Sequence, residues 1–242
     1  MTIASAEAQS AGPPASNHVE VLGDFPVVEF RRYTIKPGER VHFAQYFESY
    51  FPESFQQLGS IAAGEFLERG HANGFTWIRG YHTIEARGVI NAAFYYGPVW
   101  REHRTTLNNL IDDSDNVLLL RALTPERSVS VLPAVDPLTE PNGARGIVVA
   151  QVFQLDSGAV DAFARLVEPA FARYRGAGAR EAGVLVTLDV PNNFPQLPVR
   201  TDGPYLVWLG ILPDSAALER LTSVVEQSLA PLTASGMMKT AP

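Results

Sequence analysis

The sequence predicts an α+β fold made of two tandem βαββαβ repeats whose antiparallel sheets pack face to face. The chain has 242 residues, 46% of them apolar, which is enough for one large domain or two small ones. Strand-like and helix-like segments follow in the same order in both halves. Aligning residues 27–51 with 147–171 without gaps also gives six identities, which indicates a duplicated unit. The identical pairs are Val28 and Val148, Gly38 and Gly158, Phe43 and Phe163, Ala44 and Ala164, Glu48 and Glu168, and Phe51 and Phe171.

Six segments make up the first predicted repeat. They are strands over residues 27–35, 62–69, 75–82 and 117–123 and helical segments over residues 39–58 and 83–110. The first strand is rich in β-branched and aromatic residues and ends at Lys36-Pro37-Gly38, a typical turn sequence. Gly97-Pro98 interrupts the second helical segment, which predicts two consecutive helices there.

The second half repeats this order. Its segments are strands over residues 147–155, 183–189 and 204–212, helices over 159–174 and 215–229, and a weak last strand over 236–240. Ala182-Gly183 aligns with Ala63-Gly64, and Gly210 aligns with Gly80 after an insertion over residues 191–203. The order βαββαβ is the split unit of ferredoxin-like folds.

Two segments lack this periodicity. Residues 1–24 are rich in Ala, Ser, Gly and Pro, which predicts a mobile tail because such a segment buries too little surface to offset its ordering entropy. Residues 124–145 are rich in proline and predict a linker. The two repeats are therefore expected over residues 25–123 and 146–242.

A βαββαβ unit covers one face of its sheet with both helices and leaves the other face bare. The bare face must be buried. Packing of the two bare faces around a central cavity is the simplest solution, and it makes the chain a self-contained pseudo-dimer.

Composition excludes several functional classes. There is no cysteine, so disulfides, thiolate metal sites and cysteine nucleophiles are impossible. The net charge is -7 and only Lys36 and Lys239 are lysines, which argues against a nucleic-acid partner. The sequence has neither an apolar run long enough for a membrane span nor a secretory leader pattern, so we expect a cytoplasmic protein without a membrane partner.

Strand alternation predicts a row of charged and aromatic side chains in the central cavity. Gly80 permits close helix approach, so its row is expected under the helices and the opposite row between the sheets. The second-half row is nearly neutral, which predicts that the first half is functional and the second mainly supports it. The predicted cavity row is Glu29, Arg31, Tyr33, Trp77, Arg79 and Tyr81. This row suits either a socket for a small acidic or carbonyl-bearing ligand or a structural ion-pair network.

Two histidines are candidates beside this row. His82 follows the predicted cavity strand, and His103 lies one helical turn after Trp100. Trp100 and His103 either lie at the cavity mouth or serve as a core anchor and the partner of an acidic residue. No histidine or carboxylate pair has metal-ligand spacing on one helix, and the acidic run 112–115 resembles an exposed helix end, so no metal is predicted. The signatures of common hydrolases, NTPases and dinucleotide enzymes are absent.

Several motifs resemble the NIPSNAP family. They are VVEFRRYTIKPG, FTWIRGYHTIEARG, FYYGPVWREHR and IDDSDNVLLLRAL in the first half, and NNFPQLPVRTDGPYLVWLG in the second, as in bacterial two-repeat members. The resemblance covers about residues 27–230 and implies the dimeric α+β barrel superfamily. Relatives in that superfamily include cofactor-free monooxygenases, haem enzymes and proteins that only bind ligands or partners, so the resemblance leaves the activity open.

Three functional hypotheses follow. The first is a metal-free, nucleotide-free enzyme for oxygenation, cyclisation or isomerisation of a small aromatic or carbonyl-containing metabolite, without any cofactor. Arg31 and Arg79 would stabilise oxyanion charge and Glu29 or His103 would move a proton. The predicted substrate-binding residues are Tyr33, Trp77, Tyr81, His82, Tyr96 and Trp100. The second hypothesis is a non-catalytic binding or interaction module, and the third is a haem protein with His82 or His103 as axial ligand. The chain is also expected to form a homodimer.

Overall fold

The computed structural model describes residues 21–131 and 146–240. The first repeat contains β1 (Val27–Ile35), α1 (Arg40–Tyr50), α2 (Pro52–Gln57), β2 (Ile61–Leu67), β3 (Gly74–Tyr81), α3 (Ile84–Tyr95), α4 (Pro98–Leu110) and β4 (Ile111–Ala122). The second contains β5 (Ile147–Leu155), α5 (Val160–Gly176), β6 (Arg180–Thr187), β7 (Tyr205–Leu212), α6 (Ser215–Ala234) and β8 (Met238–Thr240).

All eight strands belong to one antiparallel sheet in the order β2-β3-β1-β4-β6-β7-β5-β8. Pairing of Leu120 with Thr187 and of Ala122 with Leu185 joins β4 to β6 and so joins the repeats. The half-sheets face each other across an apolar core that contains Phe30 and Leu185. This arrangement confirms the predicted tandem ferredoxin-like repeats packed as an intrachain dimeric α+β barrel.

Equivalent backbone features in the two halves confirm the duplication. Gly38 and Gly158, which end the turn after β1 and β5, have φ values of 85° and 76°, a region that favours glycine. Gly64 and Gly183 lie at matching register shifts in β2 and β6.

The alignment of Gly80 with Gly210, however, is wrong by one residue. Gly210 lies opposite Val149, whereas the position opposite Glu29 in the first repeat holds Arg79.

The predicted helix over residues 39–58 is two helices, because Pro52 cannot donate a hydrogen bond into the preceding turn and instead begins α2. The last strand of the first repeat is longer than predicted. It begins at Ile111, so the acidic run 112–115 is strand and not an exposed helix end. Pairing with β1 at Thr34 and Ile35 satisfies that backbone despite its polar composition.

The last residues of the predicted tail and the first residues of the predicted linker pack against the barrel. The Leu22 amide donates to the Val129 carbonyl at 2.8 Å, and Val21 bridges Ser130. Leu22 and Val129 both contact the core between the sheets, and this burial offsets the ordering entropy. Residues 1–20 of the predicted tail and residues 132–145 of the predicted linker lie outside the described residues. Within the described ranges, no helix combines the length and the apolar character that a membrane crossing needs.

Candidate functional site

The charged row of β1 and β3 faces the helices, so its predicted position between the sheets is wrong. Val28 and Phe30, from the opposite row, lie in the core between the sheets. Tyr33 and Trp77 instead pack in the cluster that includes the helical phenylalanines of the first repeat. Both faces of β3 are buried, and so are both faces of β1 except around Arg32 and Thr34, so polarity alternation could not decide which row faces the helices.

The prediction that the Gly80 row lies under the helices was wrong, because glycine is needed at this position for a contact other than one with a helix. A Cβ atom at this position would lie 2.9 Å from the Phe25 side chain and 2.9 Å from Ile61. Glycine is therefore required by the segment before β1 and by the neighbouring strand, and not by a helix.

The Glu29 carboxylate binds three guanidinium groups in the buried interior under the helices. Oε2 accepts from Arg31 Nη1 at 2.9 Å and from Arg79 Nη2 at 2.5 Å, and Oε1 accepts from Arg87 Nε at 2.7 Å. All four side chains are almost completely inaccessible to solvent. Burial alone would raise the pKa of Glu29, but the charges of Arg79, Arg31 and Arg87 hold this pKa well below its ordinary value. Glu29 is therefore ionised at neutral pH.

A cavity of about 420 Å³ lies between this charged cluster and the helices. Arg31 is the member of the cluster that lines it. The Arg31 guanidinium lies 5.6 Å from the ring centroids of Tyr33 and Trp77, and its Nε donates to the Tyr33 hydroxyl at 2.9 Å. These contacts fix one cationic group in an aromatic wall. Aromatic side chains that also line the cavity are Phe47, Phe51, Phe55, Phe94, Tyr95, Tyr96, Trp100 and Phe194.

The loop between β6 and β7 of the second repeat closes one side of this cavity. Phe194 stacks on Tyr95 with ring centroids 5.9 Å apart, and Gln196 Nε2 donates to the Tyr96 hydroxyl. Arg87 Nη1 donates to the side-chain oxygens of Asn192 at 3.0 Å and Asn193 at 2.7 Å. Arg87 therefore connects the loop to Glu29.

A glycine of α3 lies where this loop approaches the helix. A Cβ atom at Gly88 would lie 2.9 Å from the Asn193 side chain. The insertion over residues 191–203 was visible in the sequence, but nothing there showed that it reaches the other repeat.

The motifs of the first half agree with an independent comparison, in which residues 28–124 match the NIPSNAP family model. The first repeat is a NIPSNAP domain. No curated protein matches the sequence of the chain.

Solved structures of two kinds are among those that resemble the chain. A proposed monooxygenase from Lactobacillus acidophilus NCFM has a TM-score of 0.52 at 12% identity, over 89% of this chain and 90% of its own. This likeness shows a shared fold. A NIPSNAP-like domain protein from Burkholderia xenovorans is 24% identical, with a TM-score of 0.37, over 44% of this chain and 94% of its own. A NIPSNAP family protein from Agrobacterium tumefaciens C58 is 22% identical, with a TM-score of 0.37, over 42% of this chain and 90% of its own.

The predicted site residues of the NIPSNAP domain other than the two histidines divide into two sets. Arg31, Tyr33, Trp77, Tyr96 and Trp100 line the cavity. Glu29 and Arg79 lie behind its wall, where the Arg79 guanidinium packs over the Phe55 ring at 4.4 Å. Tyr81 is also buried behind the wall and donates its hydroxyl to Asn91 Oδ1 at 2.8 Å.

Neither predicted histidine lines the cavity. His103 Nδ1 lies 2.8 Å from the Tyr46 hydroxyl, and its ring stacks on Tyr50, so its partner is a phenol and not the expected acidic residue. His82 stacks on Phe25, and its Nδ1 lies 2.6 Å from the Asp24 carbonyl oxygen. The haem hypothesis therefore has no axial ligand at the cavity. In the described part of the chain, no group of three or more His, Asp or Glu residues could hold a metal ion.

Sequence reasoning missed Arg87, Tyr95 and the loop residues around Phe194. Arg87 belongs to a helix, where an arginine is usually solvated. Only the buried ion pair with Glu29 shows that it is part of the charged cluster. Tyr95 adjoins the predicted Tyr96 at the end of α3. Their position directly before the Gly97-Pro98 helix break was the signal in the sequence for both residues.

The second repeat replaces the charged cluster with apolar contacts. Val149 and Gly210 occupy the positions of Glu29 and Arg79, and Gln151 occupies that of Arg31. Trp208 corresponds to Trp77 by register, and a Cβ atom at Gly210 would overlap its ring. The Trp208 side chain therefore lies over the strand where Arg79 lies in the NIPSNAP domain.

Proposed function

We propose that the NIPSNAP domain binds a small carbonyl-containing or aromatic metabolite in the cavity beside Arg31, and that the β6–β7 loop of the second repeat completes the site. The observation that carries this proposal is an aromatic wall around one fixed guanidinium. Sites for small molecules are typically concave and mostly apolar, with a few placed polar groups, and have volumes of about 300–1,000 Å³. The cavity of about 420 Å³ lies within this range.

The proposal divides the predicted residues by role. Tyr33, Trp77, Tyr96 and Trp100 contact the ring of the ligand, and Arg31 donates to its oxygen. Glu29 and Arg79 are positioning residues, because they hold Arg31 from behind the wall. Arg31 also suits a metal-free, nucleotide-free reaction that places negative charge on a carbonyl oxygen, such as oxygenation, cyclisation or isomerisation.

Glu29 is poorly suited to transfer a proton in such a reaction. Both of its oxygens are occupied by guanidinium groups, and its lowered pKa makes it a weak base. His103 is bound to Tyr46 outside the wall. Proton transfer would therefore fall to a residue of the wall itself, such as Tyr33 or Tyr95.

A non-catalytic binding or interaction module is the second candidate function. It is favoured by the position of Arg79 and Arg87, which do not line the cavity and bind Glu29 as a structural ion-pair network. In this case the aromatic cavity binds a ligand without transforming it.

Native mass spectrometry of the freshly purified chain tests the proposal. We expect a retained small molecule in the parent and its loss in Leu197→Trp, which enlarges a wall residue of the closing loop. Leu166→Trp on the exposed side of α5 is the matched control and should keep the molecule. A parent without a retained molecule, or a Leu197→Trp variant that keeps it, contradicts the proposal.

A further inference from the structure

We infer that the ligand of this cavity is a planar aromatic acid whose carboxylate binds Arg31. The inference rests on the proposed function and names the class of ligand. Its first argument is a charge imbalance in the buried cluster, and its second is a buried donor without an acceptor on a residue that lines the cavity.

The charged cluster holds three guanidinium groups and one carboxylate. Arg31, Arg79 and Arg87 each form an ion pair with Glu29, and within the described ranges these are the ion pairs that the three arginines make. Three positive charges and one negative charge leave an excess of two positive charges. The other partners are neutral, namely the Tyr33 hydroxyl and the amide oxygens of Asn192 and Asn193.

The cluster also has hydrogen-bond donors without acceptors. Arg79 Nη1 and Arg87 Nη2 are buried and have no hydrogen-bond partner among the described residues. A buried donor of a charged group without an acceptor is unfavourable, because the donor has lost its hydration. An anion close to the cluster offsets this cost.

The cavity is the place from which an anion can reach the cluster. Arg31 both lines the cavity and binds Glu29, so a carboxylate on Arg31 also lowers the electrostatic energy of the two arginines behind it. At the cavity mouth, the exposed Arg104 and Asp115 carry opposite charges, so the mouth leaves the excess unchanged.

The unused donor is the buried indole Nε1–H of Trp77. Trp77 lines the cavity, and this atom is buried without a partner in the described part of the chain. The equivalent Trp208 of the second repeat donates its Nε1–H to Glu181 Oε2 at 3.2 Å. The position that corresponds to Glu181 in the NIPSNAP domain is Ala62, which has no acceptor side chain.

The second repeat therefore gives this tryptophan a carboxylate from the chain, and the NIPSNAP domain does not. A carboxylate that comes with the ligand would supply an acceptor for the equivalent indole. The aromatic walls then specify the rest of the molecule, because planar rings stack well on aromatic side chains.

Isothermal titration calorimetry with two probes of the same shape tests the inference. The probes are 2-naphthoate, which carries the carboxylate, and 2-naphthamide, which is neutral. We expect the full chain to bind naphthoate at least about tenfold more tightly than naphthamide, because a charge-assisted hydrogen bond contributes more binding free energy than a neutral one. Arg31→Gln should abolish this preference, and Arg101→Gln on the exposed side of α4 should keep it.

A second variant keeps the test decisive if Arg31→Gln does not fold. Trp77→Phe retains an aromatic ring and removes the Nε1–H donor, and it should weaken naphthoate binding about tenfold. An unchanged affinity for naphthoate in this variant, or a preference that survives in Arg31→Gln, overturns the inference.

The outcomes for the parent separate this inference from the proposed function. Equal affinities for naphthoate and naphthamide would agree with the proposed aromatic site but would overturn the inference that its ligand is an anion. Binding of neither probe would contradict both.

Discussion

Glu29 is a carboxylate shared by three guanidinium groups in the interior of the molecule. The sequence predicted Glu29, Arg31 and Arg79 in one row of side chains, and in the structure Glu29 lies opposite Arg79 in register. Arg87 could not be predicted from strand alternation, because α3 brings it to the cluster from another element. Residue patterns within a strand are local, whereas this contact spans 58 positions of sequence.

Glu29→Gln should lower the free energy of unfolding by about 3–5 kcal/mol, because it leaves three buried guanidinium groups without their carboxylate. Urea denaturation followed by circular dichroism measures this loss. Glu102→Gln on the exposed side of α4 is the control and should change stability by less than about 0.5 kcal/mol. Equal stabilities of the two variants would mean that the cluster does not depend on Glu29.

At the scale of elements, the candidate site is assembled from both repeats. Strands β1 and β3 supply Arg31 and Trp77, helices α1 to α4 supply most of the aromatic wall, and the β6–β7 loop supplies Phe194. The break at Gly97-Pro98 and both α3 and α4 were predicted from the sequence. The contact of the β6–β7 loop with the first repeat was not predicted, because this contact depends on how β4 and β6 join the two half-sheets.

Strand β2 shows a second effect of packing between elements. It forms the edge of the sheet beside β3, and its Glu65 lies opposite Trp77 in register. Burial, and after it the nearby charge of Glu48 on α1, raise the pKa of Glu65 from 4.5 to about 7. The folded state therefore binds a proton that the unfolded state has released between these two pH values.

Glu65→Gln should become more stable than the parent as the pH rises. Since the pKa of this acid is raised by folding, the parent loses stability between about pH 4.5 and 7, and the glutamine variant does not. We expect a difference near zero at pH 4.5 that grows to about 1–3 kcal/mol at pH 8. Urea denaturation of both proteins across this range measures it, and a difference independent of pH would show that Glu65 has an ordinary pKa.

At the scale of the whole molecule, the repeats share one core. Val28 and Phe30 of the first repeat pack with Leu185 and Val207 of the second. Hydrogen bonds between β4 and β6 continue the sheet across the boundary. Because this face of each half-sheet is buried by the other, we expect the repeats to unfold together. Pairing of two whole chains stays a prediction, which light scattering after size exclusion can check.

Leu185→Ala should therefore destabilise both repeats. The fully buried side chain lies in the core between the sheets, and its truncation should cost about 2–5 kcal/mol. Calorimetry should show a single transition at lower temperature, and hydrogen exchange should become faster in β1 as well as in β6. Leu166→Ala on the exposed side of α5 is the control. Two separate transitions, with β1 unaffected, would show that the repeats are independent.

The sequence by itself determined the repeated βαββαβ order, most element boundaries and the concentration of charge in the first repeat, because these follow from local periodicity, turn residues and internal similarity. Tertiary structure alone decided which face of β1 and β3 meets the helices. Most residues on both faces are buried, so the pattern of polar and apolar residues carries little signal for that choice. It also decided that Arg87 and the β6–β7 loop belong to the site, since contacts between distant elements form only when the two half-sheets are joined.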